Sequence, residues 1–120
     1  MLFVRTGRHA RARTLGPWDG LKEGIAGLHA SCLHWLYERR IATMGSDGAS
    51  DVFPSGYEKI FAPIHLVTIV AMGVHLIDNC DLEAVSEACA ARSRWAFLLV
   101  VAPLVLNRGT ASPVNPLAVF

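Results

Sequence analysis

The chain has 120 residues, 52% of them hydrophobic and 18% charged, which suits one compact domain and excludes a disordered chain. Eleven Lys and Arg against ten Asp and Glu leave a formal net charge of +1, so no nucleic-acid footprint is expected. Three cysteines, Cys32, Cys80 and Cys89, lack C-x-x-C spacing and cannot all pair, which argues against a disulfide framework or thiolate zinc site and for a reducing compartment.

Leu2-Phe3-Val4 reads as a short buried strand ended by Thr6-Gly7. Arg5, Arg8, Arg11 and Arg13 follow with no acid before Asp19; such a stretch can bind phosphate or a partner, and is read here as a solvated loop. Gly16-Pro17-Trp18 and Gly20 continue as loop. Between His29 and Arg40, apolar residues at spacings of three and four predict a helix, and Ile41–Met44 a short strand. Gly45–Asp51 is a polar loop at the end of that strand, and Pro54-Ser55-Gly56 is irregular. Pro63 is placed to start an apolar helix running to about Met72, broken by Gly73, with a strand over Val74–Ile77. Asp81 is an N-cap candidate for a helix over Leu82–Ala91. Trp95–Val101, uncharged and β-rich, predicts a central strand covered on both faces; in a partial fold it would lie more exposed. Asn107–Thr110 is a turn, and Leu117–Phe120 a last strand.

This order predicts an α/β class, with helices packed on a mixed sheet. Ile60–Ile77 is the longest uncharged run, at the lower limit for a membrane span. It contains Pro63, Gly73, His65 and His75 and has no flanking aromatic anchors, so no membrane association is expected. The Arg-rich start has no apolar core after it, which fits no signal peptide and suggests a cytoplasmic chain.

No H-E-x-x-H, G-x-S-x-G or P-loop motif is present. Among five histidines, His29 and His34 lie off a common helical face and are expected to be exposed, and His9 sits in the basic stretch. His65 and Asp78 form the pair of interest. A helix of seven steps from His65 to Met72 rises about 10 Å, and five extended steps from Gly73 return at most about 16 Å. Both side chains can therefore meet at one end of the layer, within about 5 Å of each other if they share a metal. Imidazole plus carboxylate suits Zn²⁺ or Mn²⁺, though two donors do not complete a site; a hydrogen-bonded buried histidine is the plainer alternative. Asp47, Ser50 and Asp51 follow a strand directly, where ligands collect in α/β sheets, or where carboxylates simply cap turns.

Several segments, in this order, resemble the cyclase family of metal-dependent hydrolases, which includes kynurenine formamidase of tryptophan catabolism. They are Leu2-Phe3-Val4-Arg5-Thr6-Gly7, Gly27-Leu28 before Trp35-Leu36-Tyr37-Glu38-Arg39, and Gly45-Ser46-Asp47-Gly48-Ala49-Ser50-Asp51 after Met44, which is similar to the family's G-x-D-x-x-S-x-D passage with one residue fewer before the last Asp. Pro63-Ile64-His65, Leu76-Ile77-Asp78-Asn79 and the stretch from Ala102-Pro103-Leu104 to Gly109–Pro116 extend the likeness over nearly the whole chain.

The resemblance implies the C-terminal part of the family's swivelling β/β/α fold, with residues 1–120 forming a single partial domain. It implies a hydrolase of amide or acyl bonds acting through a divalent metal, Zn or Mn, on N-formylkynurenine or a related small acylated substrate. His65 matches the family's later metal-binding histidine and Asp78 its later acidic ligand, while Asp47 and Ser50 would shape the substrate loop. The family's H-x-G-T-H-x-D-x-P-x-H motif, which carries the remaining ligands and the catalytic histidine, has no counterpart here. The expected ligand set is therefore incomplete, no catalytic residue is assigned, and the chain by itself is expected to be inactive. Full-length members are expected to be homo-oligomers. The other reading is a shortened, non-catalytic relative that dimerises or pairs with a partner through exposed apolar strands.

Overall fold

The structure, a computed structural model, describes residues 1–120. The chain divides into two compact units, Met1–Glu83 and Ala84–Phe120.

The first unit is organised by a three-stranded parallel sheet in the order β1 (Leu2–Val4), β2 (Thr43–Ser46), β3 (His75–Ile77). Leu2 pairs with Met44 and Phe3 with Gly45, while Met44 pairs with Leu76 on the other side. A β-carbon at position 45 would run into the Phe3 ring, so glycine leaves room for that ring over β2. β2 lies two residues later than the expected Ile41–Met44. Gly45 and Ser46 have poor strand propensity, but pairing recruits them, Gly45 with both neighbours and Ser46 with β1.

The basic stretch is a correction to the sequence reading: it is not a loop but a helix, α1 (Arg8–Leu15). Arg and Ala are strong helix formers, and the cap that starts the helix comes from Asp47, some forty residues away. Its charges find partners: Arg13 meets Glu83 at 3.3 Å, Arg11 meets Glu23 at 3.6 Å, and neighbouring Arg5 makes two 2.9 Å bonds to Glu83. A single turn, α2 (Gly20–Glu23), follows, capped by Asp19. The helix expected over 29–40 is shorter, a 3₁₀ turn at Ala30–Cys32 leading into α3 (Leu33–Glu38).

α4 begins at Pro63 as expected, runs helically through Pro63–His65, and continues over Leu66–Ala71 as a wider π-turn. The Thr68 hydroxyl donates to the Ile64 carbonyl at 2.7 Å, and Val67, Thr68, Ile69 and Val70 are all β-branched, both of which loosen ordinary α-winding. Gly73, at φ 65°, turns the chain into β3. No helix is long and apolar enough to cross a membrane. The core of this unit is Leu36, Met44, Ile64 and Val74, with Leu2, Leu28, Leu33, Ile41, Met72 and Leu76 packed around them.

α5 (Glu83–Ala91) opens with the Glu83 amide donating to the Asp81 carboxylate at 3.1 Å, the expected cap one residue late. In the second unit β4 (Leu98–Val100) pairs antiparallel with β5 (Leu117–Val119). The expectation that Trp95–Val101 is a central strand covered on both faces is overturned. Leu98 pairs with Val119 and Val100 with Leu117, and all four side chains stand exposed on one face of a two-stranded ribbon. An apolar composition signals a face in need of cover, and within this unit β4 has only β5 beside it. The α/β class stands, with parallel and antiparallel pairing in two separate sheets.

Candidate functional site

β2 and β3 run parallel, so the segments after Ser46 and after Ile77 leave the sheet at the same end. The first is the polar loop, the second opens with Asp78, and the start of α4 lies against both. Gly27 makes the loop possible. A β-carbon there would collide with the Asp51 backbone, whereas the bare glycine lets Ile25–Leu28 run beside Ser50–Phe53. The Leu28 amide donates to Ser50 O at 2.8 Å, and Ile25 and Phe53 exchange two bonds at 2.9 Å.

Asp51, thus held, caps α4. Its Oδ1 accepts from the Ile64 amide at 2.6 Å, and its Oδ2 from the His65 amide at 3.2 Å. The same Oδ2 lies 2.6 Å from His65 Nδ1, and His65 Nε2 lies 2.8 Å from Asp78 Oδ2. The imidazole is clamped between two carboxylates. The expected meeting of His65 and Asp78 is found, well inside the 5 Å allowance.

Ser50 supports the far side of Asp78. Its backbone sits at φ 57°, a left-handed conformation uncommon outside glycine and Asn. Its Oγ donates to Asp78 Oδ1 at 2.6 Å, and Ser46 Oγ lies 3.1 Å behind it. Ser50 and Asp51 are buried, while His65 and Asp78 are each about a third open to solvent, with side-chain exposures of 30% and 27%. A buried scaffold therefore presents a half-open histidine–carboxylate pair.

Burial opposes a charge on His65, but the hydrogen bonds and negative charge of Asp51 and Asp78 outweigh it and raise its pKa above the ordinary value. Protonated, the ring donates from both nitrogens; neutral, it would turn one lone pair towards a carboxylate oxygen.

Asp47, the other loop residue, faces away from this pair. It is fully buried, and both its oxygens are taken: Oδ1 by the Thr6 amide at 2.7 Å and hydroxyl at 2.8 Å, Oδ2 by the amides of Gly7 at 2.8 Å and Arg8 at 3.0 Å. Burial disfavours its charge, yet these four donors prevail and hold its carboxyl below the ordinary value. Its contacts fasten β1 and α1 to the loop.

The His65–Asp78 pair can hold a divalent metal only in part. Two ligands at 2.0–2.2 Å from one ion stand about 3.0–3.4 Å apart, so the pair would open by a few tenths of an ångström. Asp51 on the opposite nitrogen is the carboxylate partner that orients a ligating histidine. No group of three or more His, Cys, Asp or Glu side chains is arranged around one ion. The donors fit a borderline metal chemically, as a fraction of a shell.

Sequence reasoning noticed Asp51 in the loop without joining it to His65. The available signal was Pro63, which marks a helix start that needs a cap. The exposed His29 and His34 stand outside the cluster, on Ser31 and Glu38 respectively.

No family model matches the sequence, and no curated protein matches it. Among solved structures the chain is similar to a crystal structure described as a novel cyclase, with a TM-score of 0.79 and 24% identity over 99% of this chain. The match spans 40% of that cyclase's length. At this identity the similarity carries the fold: this chain has the α/β architecture of part of a cyclase.

Proposed function

We propose that this chain is the C-terminal portion of a cyclase-type, metal-dependent hydrolase of amide or acyl bonds, carrying part of its metal shell. One observation carries the reading: His65 Nε2 stands 2.8 Å from Asp78 Oδ2, with Asp51 bound to the opposite ring nitrogen. The cyclase-like segments of the sequence and the shared fold support it.

His65 and Asp78 would hold a Zn²⁺ or Mn²⁺ ion, which in such enzymes polarises a carbonyl and lowers the pKa of bound water. The chain's own part is positional. Asp51 holds a proton on Nδ1 and so leaves Nε2 free to ligate, and Ser50 fixes the carboxylate of Asp78 through Oδ1, leaving Oδ2 on the histidine side. The substrate class is a small acylated molecule such as N-formylkynurenine. Two side chains do not complete the shell, and the chain contains no general base to match the family motif.

Calorimetric titration with Zn²⁺ and Mn²⁺ tests this. Weak binding that dialysis removes, and that His65→Ala and Asp78→Ala each abolish, is expected. Binding that survives both substitutions refutes the pair as ligands. N-formylkynurenine should not turn over with either metal present; turnover lost in His65→Ala would overturn the partial-shell reading.

A second reading has its own observation, the exposed ribbon face of Leu98, Val100, Leu117 and Val119. On that reading the chain is a non-catalytic relative that associates with another copy through this face.

A further inference from the structure

The basic stretch of the sequence is left unused by the metal pair, and it shapes a separate cavity. Arg8 and Arg11, one helical turn apart on α1, both lie against the indole of Trp18, with guanidinium carbons 5.5 and 4.0 Å from the ring centroid. Beside them opens a cavity of about 340 Å³, closed further by Glu23, Ile25 and Phe53. That volume is at the lower end of the range of small-molecule sites.

The two guanidinium groups at this cavity are only partly satisfied. Glu23 reaches Arg11 Nη2 at 3.6 Å, a loose contact, while Arg11 Nη1 is buried with no hydrogen-bond partner. Arg8 forms no ion pair with any carboxylate of the chain. Asp47 lies under the same turn, but its charge is met by Thr6 and by the first amides of α1. The Arg8 guanidinium is thus left without an ion-pair partner, beside an apolar wall of Ile25 and Phe53. Trp18 is itself pinned, its Nε1 donating to Gly24 O at 3.1 Å, so the arginines stack on a fixed surface.

We infer that this cavity binds a small organic monocarboxylate, its oxygens on the guanidinium of Arg8, its apolar body against Ile25 and Phe53. A planar guanidinium matches a carboxylate with two parallel hydrogen bonds, and one unpaired guanidinium takes one carboxylate. The inference stands independently of the metal pair, since it uses none of those residues.

The test is a titration of the full chain with benzoate, reading the Trp18 indole N–H by NMR, its signal assigned from the Trp18→Phe variant. Saturable movement of this signal is expected. Arg8→Gln should weaken binding at least tenfold, and Glu23→Gln should tighten it several-fold, with far-UV circular dichroism unchanged in both. Absence of saturation, or equal affinity in a folded Arg8→Gln variant, would overturn the site. Inorganic phosphate moving the same signal with higher affinity than benzoate would overturn the monocarboxylate assignment.

Discussion

Asp47 and His65 are both loop-facing charges, and their environments send them in opposite directions. Asp47 is met only by donors, so its carboxylate is favoured; replacing it with Ala strands the amides of Thr6, Gly7 and Arg8, and should lower unfolding free energy by about 2–4 kcal/mol in urea denaturation at neutral pH. Because its folded pKa lies below the ordinary 3.8, the unfolded chain takes up this proton first as the solution is acidified. Its stabilisation is complete above that ordinary value and disappears as pH falls through the folded one. Asp47→Asn should accordingly flatten the acid limb of the stability–pH curve. His65 is met only by acceptors, so its folded pKa lies above the ordinary 6.5. In the metal-free chain its stabilisation is complete below that value and is lost as pH rises through the folded one. The same proton competes with a metal for Nε2. Affinity for Zn²⁺ should rise about tenfold per pH unit until His65 has titrated, then level off. An affinity independent of pH between 6 and 8 would show that His65 is not a ligand.

At the scale of elements, the site depends on close backbone approach. Gly27 brings Ile25–Leu28 against Ser50–Phe53, and that short ladder aims Asp51 at the start of α4. Gly27→Ala should cost about 1–3 kcal/mol and, by displacing Asp51, weaken metal binding by about tenfold. Calorimetry beside denaturation separates the two effects, since Leu36→Ala, a core change at α3, should cost about 2–5 kcal/mol and leave the metal pair's geometry in place. The π-turn of α4 belongs to the same scale. It widens the helix directly after His65, where the ring has to be held between two carboxylates rather than packed along a regular helical face.

For the molecule as a whole, uncovered apolar surface is the leading feature. Phe61, Leu66, Ile69 and Val70 are exposed around α4, as are Leu98, Val100, Leu117 and Val119 on the ribbon of the second unit. Ribbons of two strands are marginal alone and present open edges. The chain is therefore expected to self-associate at micromolar concentrations in light-scattering chromatography. Leu98→Lys with Val119→Lys, which puts two charges directly opposite on the exposed face, should shift it towards monomer. An unchanged mass in the double variant would move the association elsewhere. The chain spans 40% of the cyclase it resembles in fold.

The local chemistry of the sequence was sufficient for β1, the start of α4 at Pro63, the turn at Gly73, β3 and the Asp81 cap, because each leaves its mark in a few consecutive residues. Helix rise and strand return allowed His65 and Asp78 to meet, and the resemblance to the cyclase family, not spacing alone, singled the pair out. Tertiary structure decided the rest. α1 is a helix because Asp47 caps it from about forty residues away; β2 extends through Gly45 and Ser46 because β1 pairs with both and β3 with Gly45. Asp51 joins His65 only because Gly27 admits another backbone beside it. Trp95–Val101 carries the composition of a central strand, but cover is a property of neighbours, and β4 has only β5 beside it. Composition shows that a face has to be buried; only the packed chain shows whether anything buries it.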